Sequence, residues 1–183
     1  AGAIADTVPS ETLLISGTGT FDSANAGNGR TVTVTDVTAL TKSNGTGNWS
    51  NYHLTTTGAM STTANISKKD VALAAITADN KTYDANSAAT ISAGNITGTV
   101  GLETLLVSGT GTFSDANAAN NKTVTVARTA TLLQTDGTGH WSNYNLTTAG
   151  PITTTANINK KDVTLTAITA DTKTYNASTA ANI

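Results

Sequence analysis

The sequence predicts an all-β chain of tandem antiparallel β-sandwich modules, on three observations: a strict internal repeat, alternating Thr-Val runs, and turn residues between them at short intervals. Residues 1–91 align with 93–183 without a gap, at a period of 92, and 57 of the 91 pairs are identical. A repeat of that length marks an array of domain-sized units, each large enough for a modest core of its own.

The elements follow in order. Leu13–Ser16 is a short apolar run bounded by the turn Ser16-Gly17-Thr18-Gly19. Residues 31–35, Thr-Val-Thr-Val-Thr, alternate with the period of a half-buried strand, which turns Val32 and Val34 inward. Residues 51–57, 62–66 and 71–77 are β-rich in the same way, and every run has its counterpart 92 residues on. Gly, Asn, Asp and Ser clusters such as Asn44-Gly45-Thr46-Gly47 supply the turns. No apolar spacing of helical period is sustained, and one short helical turn is expected at 22–27. About seven strands per repeat fit Ig-like sandwiches, with β-grasp-like modules as the alternative.

Composition narrows function. The chain has 10 Lys and Arg against 12 Asp and Glu, a net charge of −2, and charged residues are only 12% of the total. A nucleic-acid-binding surface needs clustered cations, and the longest basic runs are the pairs Lys68-Lys69 and Lys160-Lys161, so nucleic acid is excluded as a partner. Polarity comes instead from 40 Thr, 18 Asn and 13 Ser. The absence of Cys rules out a disulfide framework and thiol chemistry. No apolar run approaches a membrane span, so membrane insertion by this segment is not expected, and any export signal or anchor is expected outside it.

Each repeat carries four aromatics, Phe21, Trp49, Tyr52 and Tyr83, matched by Phe113, Trp141, Tyr144 and Tyr175. They are expected to anchor a core of Val, Ile, Leu and Ala. The sharper reading makes Trp49 and Tyr52, with Trp141 and Tyr144, an aromatic platform for a host or cell-surface glycan, because they sit in an Asn- and Ser-rich segment. No catalytic residue is expected. An array of enzymes would repeat its catalytic groups, whereas His53 aligns with Asn145 and His140 with Asn48. Neither a cofactor nor a metal is predicted: the loops Asp22-Ser23-Ala24-Asn25 and Ser114-Asp115-Ala116-Asn117 fall short of the acidic density of a calcium loop.

Lys81-Thr82-Tyr83-Asp84 and its copy Lys173-Thr174-Tyr175-Asn176, the GTGTF segment followed by an Asn-rich loop and TVTV, and GNWSNYHLTT together resemble the YDG-type repeats of large bacterial surface and secreted exoproteins, including filamentous-haemagglutinin-like adhesins. The resemblance implies β-rich modules in long arrays, an extracellular or cell-surface location, neighbouring repeats as partners, and no catalytic residues. The namesake Gly of the motif is Ala85 here and Ala177 in the copy, so that turn is expected to be built differently.

Motif order places residues 70–161 as one complete module, 1–69 as a partial module lacking its leading strands, and 162–183 as the leading strands of the next. The alternative phase is 1–92 and 93–183. Three functions fit: a stalk or spacer, a glycan-binding adhesive module, and a filament assembled head to tail by strand complementation.

Overall fold

The computed structural model describes Gly2 and residues 4–183, and the chain is all-β, with thirteen strands and four single-turn 3₁₀ helices among the described residues. The first repeat contributes β1 (Leu13–Ser16), β2 (Thr20–Phe21), β3 (Gly27–Val34), β4 (Thr41–Asn44) and β5 (Met60–Ile66). Then come β6 (Lys69–Ala78), β7 (Lys81–Thr82) and β8 (Ala88–Thr97). The second repeat adds β9 (Leu105–Phe113), β10 (Ala119–Val126), β11 (Leu133–Asp136), β12 (Tyr144–Leu146) and β13 (Ile152–Asn159).

The chain folds as two compact units interleaved along the sequence: Ala1–Leu73 with Ile96–Leu106 and Gln134–Thr148, and Ala74–Asn95 with Val107–Leu133 and Ala149–Ile183. In the first unit β1 pairs with β4 and β3 lies between β2 and β5, all antiparallel, while β12 runs parallel to the start of β6 in the register Tyr144↔Lys69 to Leu146↔Val71. Its core includes Leu13, Ile15, Val37, Val71, Leu73 and Leu105. In the second unit β10 lies between β9 and β13, β8 pairs with β9 antiparallel, and β7 runs parallel to β13. Ile91, Val124, Val126 and Ile158 are its most deeply buried aliphatics. Alternation decides which residues face in: along β10 Val124 and Val126 are buried as the Thr-Val pattern predicts.

Three expectations are corrected. The segment 22–27 holds no helical turn; the Asn25 amide donates to Ser23 Oγ at 3.1 Å, a side-chain turn that Ser so placed favours. The 3₁₀ turns lie instead at Val37–Ala39, Trp49–Asn51 and their copies Thr129–Thr131 and Trp141–Asn143. Asp36 and Asn48 cap the first two through side-chain oxygens that accept the Thr38 and Ser50 amides. The β-rich run 51–57 forms no strand, although its copy yields β12, which has a parallel partner in β6. The run matching β6, residues 163–169, is likewise outside any strand.

The aromatic core is only partly realised. Phe113, Trp141 and Tyr144 are buried, but Phe21 and Tyr83 are exposed and Tyr175 is almost wholly so.

The turn with Ala in place of Gly keeps a glycine conformation. Ala85 has φ +66° and Ala177 φ +58°, in the left-handed region where a Cβ crowds the following carbonyl. Neighbours hold it there. Asp84 Oδ1 accepts the Asn86 amide at 3.1 Å and pairs with Lys81 Nζ at 2.7 Å, and Lys81 also donates to the carbonyls of Asn86 and Ala88. Ala85→Gly relieves the crowding and is expected to stabilise the protein by about 0.5–1 kcal/mol after the larger chain entropy of glycine is subtracted. Calorimetric melting checks this, and a lower Tm would show the turn to be unstrained.

Candidate functional site

Both copies build the same polar cluster from residues far apart in sequence. In the second copy Tyr144 Oη donates to Glu103 Oε2 and accepts the Val100 amide at 3.0 Å. In the first, Tyr52 Oη donates to Glu11 Oε2 and accepts the Val8 amide at 3.1 Å. Beside each pair, two threonines exchange hydrogen bonds. The Thr104 amide donates to Thr138 Oγ1 at 2.8 Å and the Thr138 amide to Thr104 Oγ1 at 3.1 Å, and Thr12 with Thr46 repeats both distances. Gly137 is required there because a Cβ would stand 2.4 Å from the Thr104 carbonyl oxygen.

The indoles complete the cluster. Trp141 Nε1 donates to the carbonyls of Leu106 and Thr135 at 3.2 and 3.0 Å, and Trp49 Nε1 to those of Leu14 and Ser43, both at 3.0 Å. Leu14 and Ser43 face each other across the β1–β4 ladder, so one N–H ties two strands together. The amide of each Trp is held in turn by a side chain five residues back: Asp136 Oδ1 at 2.7 Å for Trp141, Asn44 Oδ1 at 2.9 Å for Trp49.

The four residues named as a glycan platform thus have their polar atoms engaged inside the protein. Trp141 and Tyr144 are buried, Trp49 and Tyr52 half-buried, and Lys42 Nζ lies 5.3 Å from the Trp49 ring centroid. Sugar stacking needs an open ring face, which the buried pair does not offer. Glu11 and Glu103 stand alone in the local sequence, because their phenol partners lie 41 residues away. The available signal was that Glu and Tyr are both retained in both copies.

The other polar candidates are occupied locally. Asp115 pairs with Lys122 at 2.6 Å and accepts the Asn117 amide at 2.7 Å. His140 Nδ1 lies 3.0 Å from Asp136 Oδ2 on the surface. A cavity of about 280 Å³ in the first unit is lined by Asn25, Lys69, Glu103, Asn143 and Tyr144 among others, and Asn143 closes its wall by accepting the Ala26 amide at 2.9 Å and donating to Asn25 at 2.9 Å. Among the described residues no group of three or more His, Cys, Asp or Glu is placed to hold a metal ion.

Electrostatics follow from these bonds. The bond to Glu103, reinforced by burial, holds the Tyr144 phenol above its ordinary value of 10.0, and Glu11 does the same for Tyr52. Stability from such a raised group is present below pH 10 and is lost as pH climbs through the folded-state value. The Trp141 amide, then His140, hold Asp136 below 3.8. Its contribution is present above that value and is lost as pH falls through the folded-state one.

Tyr144→Phe strands the Val100 amide and the Glu103 carboxylate and is expected to cost about 1–3 kcal/mol at pH 7. The gap to the parent protein should narrow above pH 10, as paired urea melts at pH 7 and 11 would register; a gap that stays constant would remove the Tyr-Glu bond as the pH-sensitive element. Asp136→Asn places here the residue that already serves at position 44. It is expected to leave the Tm at pH 7 nearly unchanged and to flatten the loss of stability as pH falls below 3.8. An unchanged acid limb in denaturant titrations would assign that loss to other carboxylates.

Comparison with known proteins adds the family. No curated protein and no solved structure matches the chain. The YDG domain matches it over residues 1–59 and 67–154, which covers most of both repeats. The chain belongs to the YDG domain family.

Proposed function

We propose that this chain is a structural repeat segment of a bacterial cell-surface or secreted protein, an adhesin-like exoprotein in which YDG modules serve as stalk or spacer and act without catalysis. The observation that carries the reading is where the two copies agree. The groups they share in one geometry, Glu-Tyr-Val, Thr-Thr and the Trp indole across two carbonyls, all hold strands together. The groups with reactive chemistry, His53 and His140, occur once each at unmatched positions. A surface of Thr, Asn and Ser with few charges stays hydrated and salt-insensitive, which suits a module whose task is reach. Its partners in this role are the neighbouring repeats, and no cofactor is called for.

A spacer must resist extension. Pulled as a single molecule, the chain is expected to yield at least one discrete unfolding step, and complete release of one repeat lengthens the tether by roughly 300 Å, at about 3.4 Å per residue. Gradual extension at low force, with no discrete step, would count against a load-bearing role.

A further inference from the structure

One contact crosses the repeat boundary however that boundary is drawn. Asn25 and Ala26 fall in the first module and Asn143 in the second, whether the modules are 1–69 and 70–161 or 1–92 and 93–183. Asn143 Oδ1 accepts the Ala26 amide at 2.9 Å, and Asn143 Nδ2 donates to Asn25 Oδ1 at 2.9 Å, over 117 and 118 residues of chain. A carboxamide carries both an acceptor and a donor, so one side chain reads a backbone amide and the side-chain oxygen next to it.

Each side of the contact is set by its own module. Asn143 ends the 3₁₀ turn Trp141–Asn143, which the Trp141 indole anchors through the Leu106 and Thr135 carbonyls. The loop it meets is shaped by Ser23, whose Oγ accepts the Asn25 amide at 3.1 Å. In the second copy Asp115 Oδ1 makes the equivalent bond to the Asn117 amide at 2.7 Å. The residue that shapes the loop therefore changes between copies, whereas the residues that meet do not. Asn25-Ala26 recurs as Asn117-Ala118, and Asn143 has Asn51 at its matching position. Asn145, which donates to Asp70 Oδ1 at 2.9 Å, has His53 at its matching position instead.

Packing around the contact is incomplete. The cavity of about 280 Å³ is lined by Ala24, Ala26 and Ile66 from the first module and by Val100 and Glu103 from the second. Apolar groups that would close-pack in a core leave a void here, so dispersion contributes little across the boundary and the two hydrogen bonds of Asn143 carry the contact.

We propose that Asn143 is the latch by which one repeat recognises the repeat before it, its carboxamide gripping the Asn-Ala loop of the preceding module. The inference rests on the spacer reading, in which neighbouring repeats are the partners, and names the residue and the loop that meet. Recognition is chemical: the loop must offer an amide N–H and a side-chain oxygen on adjacent residues, and a loop with an apolar residue at position 25 or a proline at 26 lacks one of them. The latch also joins the two modules energetically, because the loop it holds leads directly into β3.

Hydrogen exchange on the full chain tests this. In Asn143→Ala the Ala26 amide and the amides of β3 are expected to exchange about tenfold faster or more, while those of Val124 and Val126 keep their rates. Asn25→Ala alone is expected to produce a smaller acceleration in β3 and to add nothing to the effect of Asn143→Ala, since both remove one contact. Unchanged protection in β3, an equal loss in β3 and at Val124, or additive effects of the two substitutions would each overturn the proposal. Exchange is measured without load, so a chain that extends gradually when pulled still reports on the latch, and a latch that fails leaves the unfolding step to be observed.

Discussion

The fold of each copy depends on an indole N–H placed between two strands. A module with no disulfide and few charges has only apolar burial and hydrogen bonds to hold its ends together. Burial is supplied by small side chains, chiefly Val, Ile, Leu and Ala. The tryptophan adds what they cannot: a large apolar plate with a donor at its rim, which accounts for two carbonyls at once. Other features serve to set that ring. Asn44 or Asp136 fixes its amide, the 3₁₀ turn that follows aims it, and the Thr-Thr exchange holds the turn to the start of the neighbouring strand. Gly45 and Gly137 are the cost of bringing that backbone so close, since a Cβ at either would lie 2.4 Å from a carbonyl oxygen.

Because local sequence is nearly constant between the copies, differences in their structure isolate the effect of neighbours. Val32 and Val34 are half-buried where Val124 and Val126 are buried, and Phe21 is exposed where Phe113 is buried. Intrinsic strand preference is the same for the two Gly-Thr-Gly-Thr-Phe segments, yet only the one paired with β8 is continuous strand. Glycine in a strand contributes no side-chain packing, so a Gly-rich stretch depends on a partner to order it. Strand formation by this segment therefore depends on its partner as well as on its own sequence.

That dependence explains what could be read from the sequence and what could not. The repeat, the all-β class and strands such as Leu13–Ser16 were legible because period-2 alternation and turn residues are local signals. The Thr-Val strand was legible too, extended by four residues at its N-terminal side once its partners are known. The two parallel pairings, β12 with β6 and β13 with β7, were not, since nothing local distinguishes a parallel edge in so short a strand. The Glu-Tyr bond was missed for the same reason: it closes across 41 residues, and spacing alone cannot show that an acid and a phenol meet. The turn at Ala85 was misjudged in the opposite sense, because loss of glycine suggested a different turn, whereas Lys81 and Asp84 hold alanine in the old one.

Substitutions between the copies show which interactions the module tolerates losing. Charge comes and goes: Asp136 stands where Asn44 does, Asn176 where Asp84 does, and His140 replaces the capping Asn48 without supplying a cap. Hydrogen-bond geometry persists through these changes, since Asn and Asp both present an oxygen at the same reach. The exception is instructive. Lys122 has its carboxylate at Asp115, but in the first copy the order of Asp and Ser is reversed and Arg30 replaces the lysine, with Nε buried and lacking any hydrogen-bond partner. The Arg30 guanidinium instead donates from Nη2 to the Ala26 carbonyl at 3.4 Å. A module stabilised by neutral hydrogen bonds can thus drift in sequence along an array with little loss, whereas one held by ion pairs would lose a partner at each such exchange.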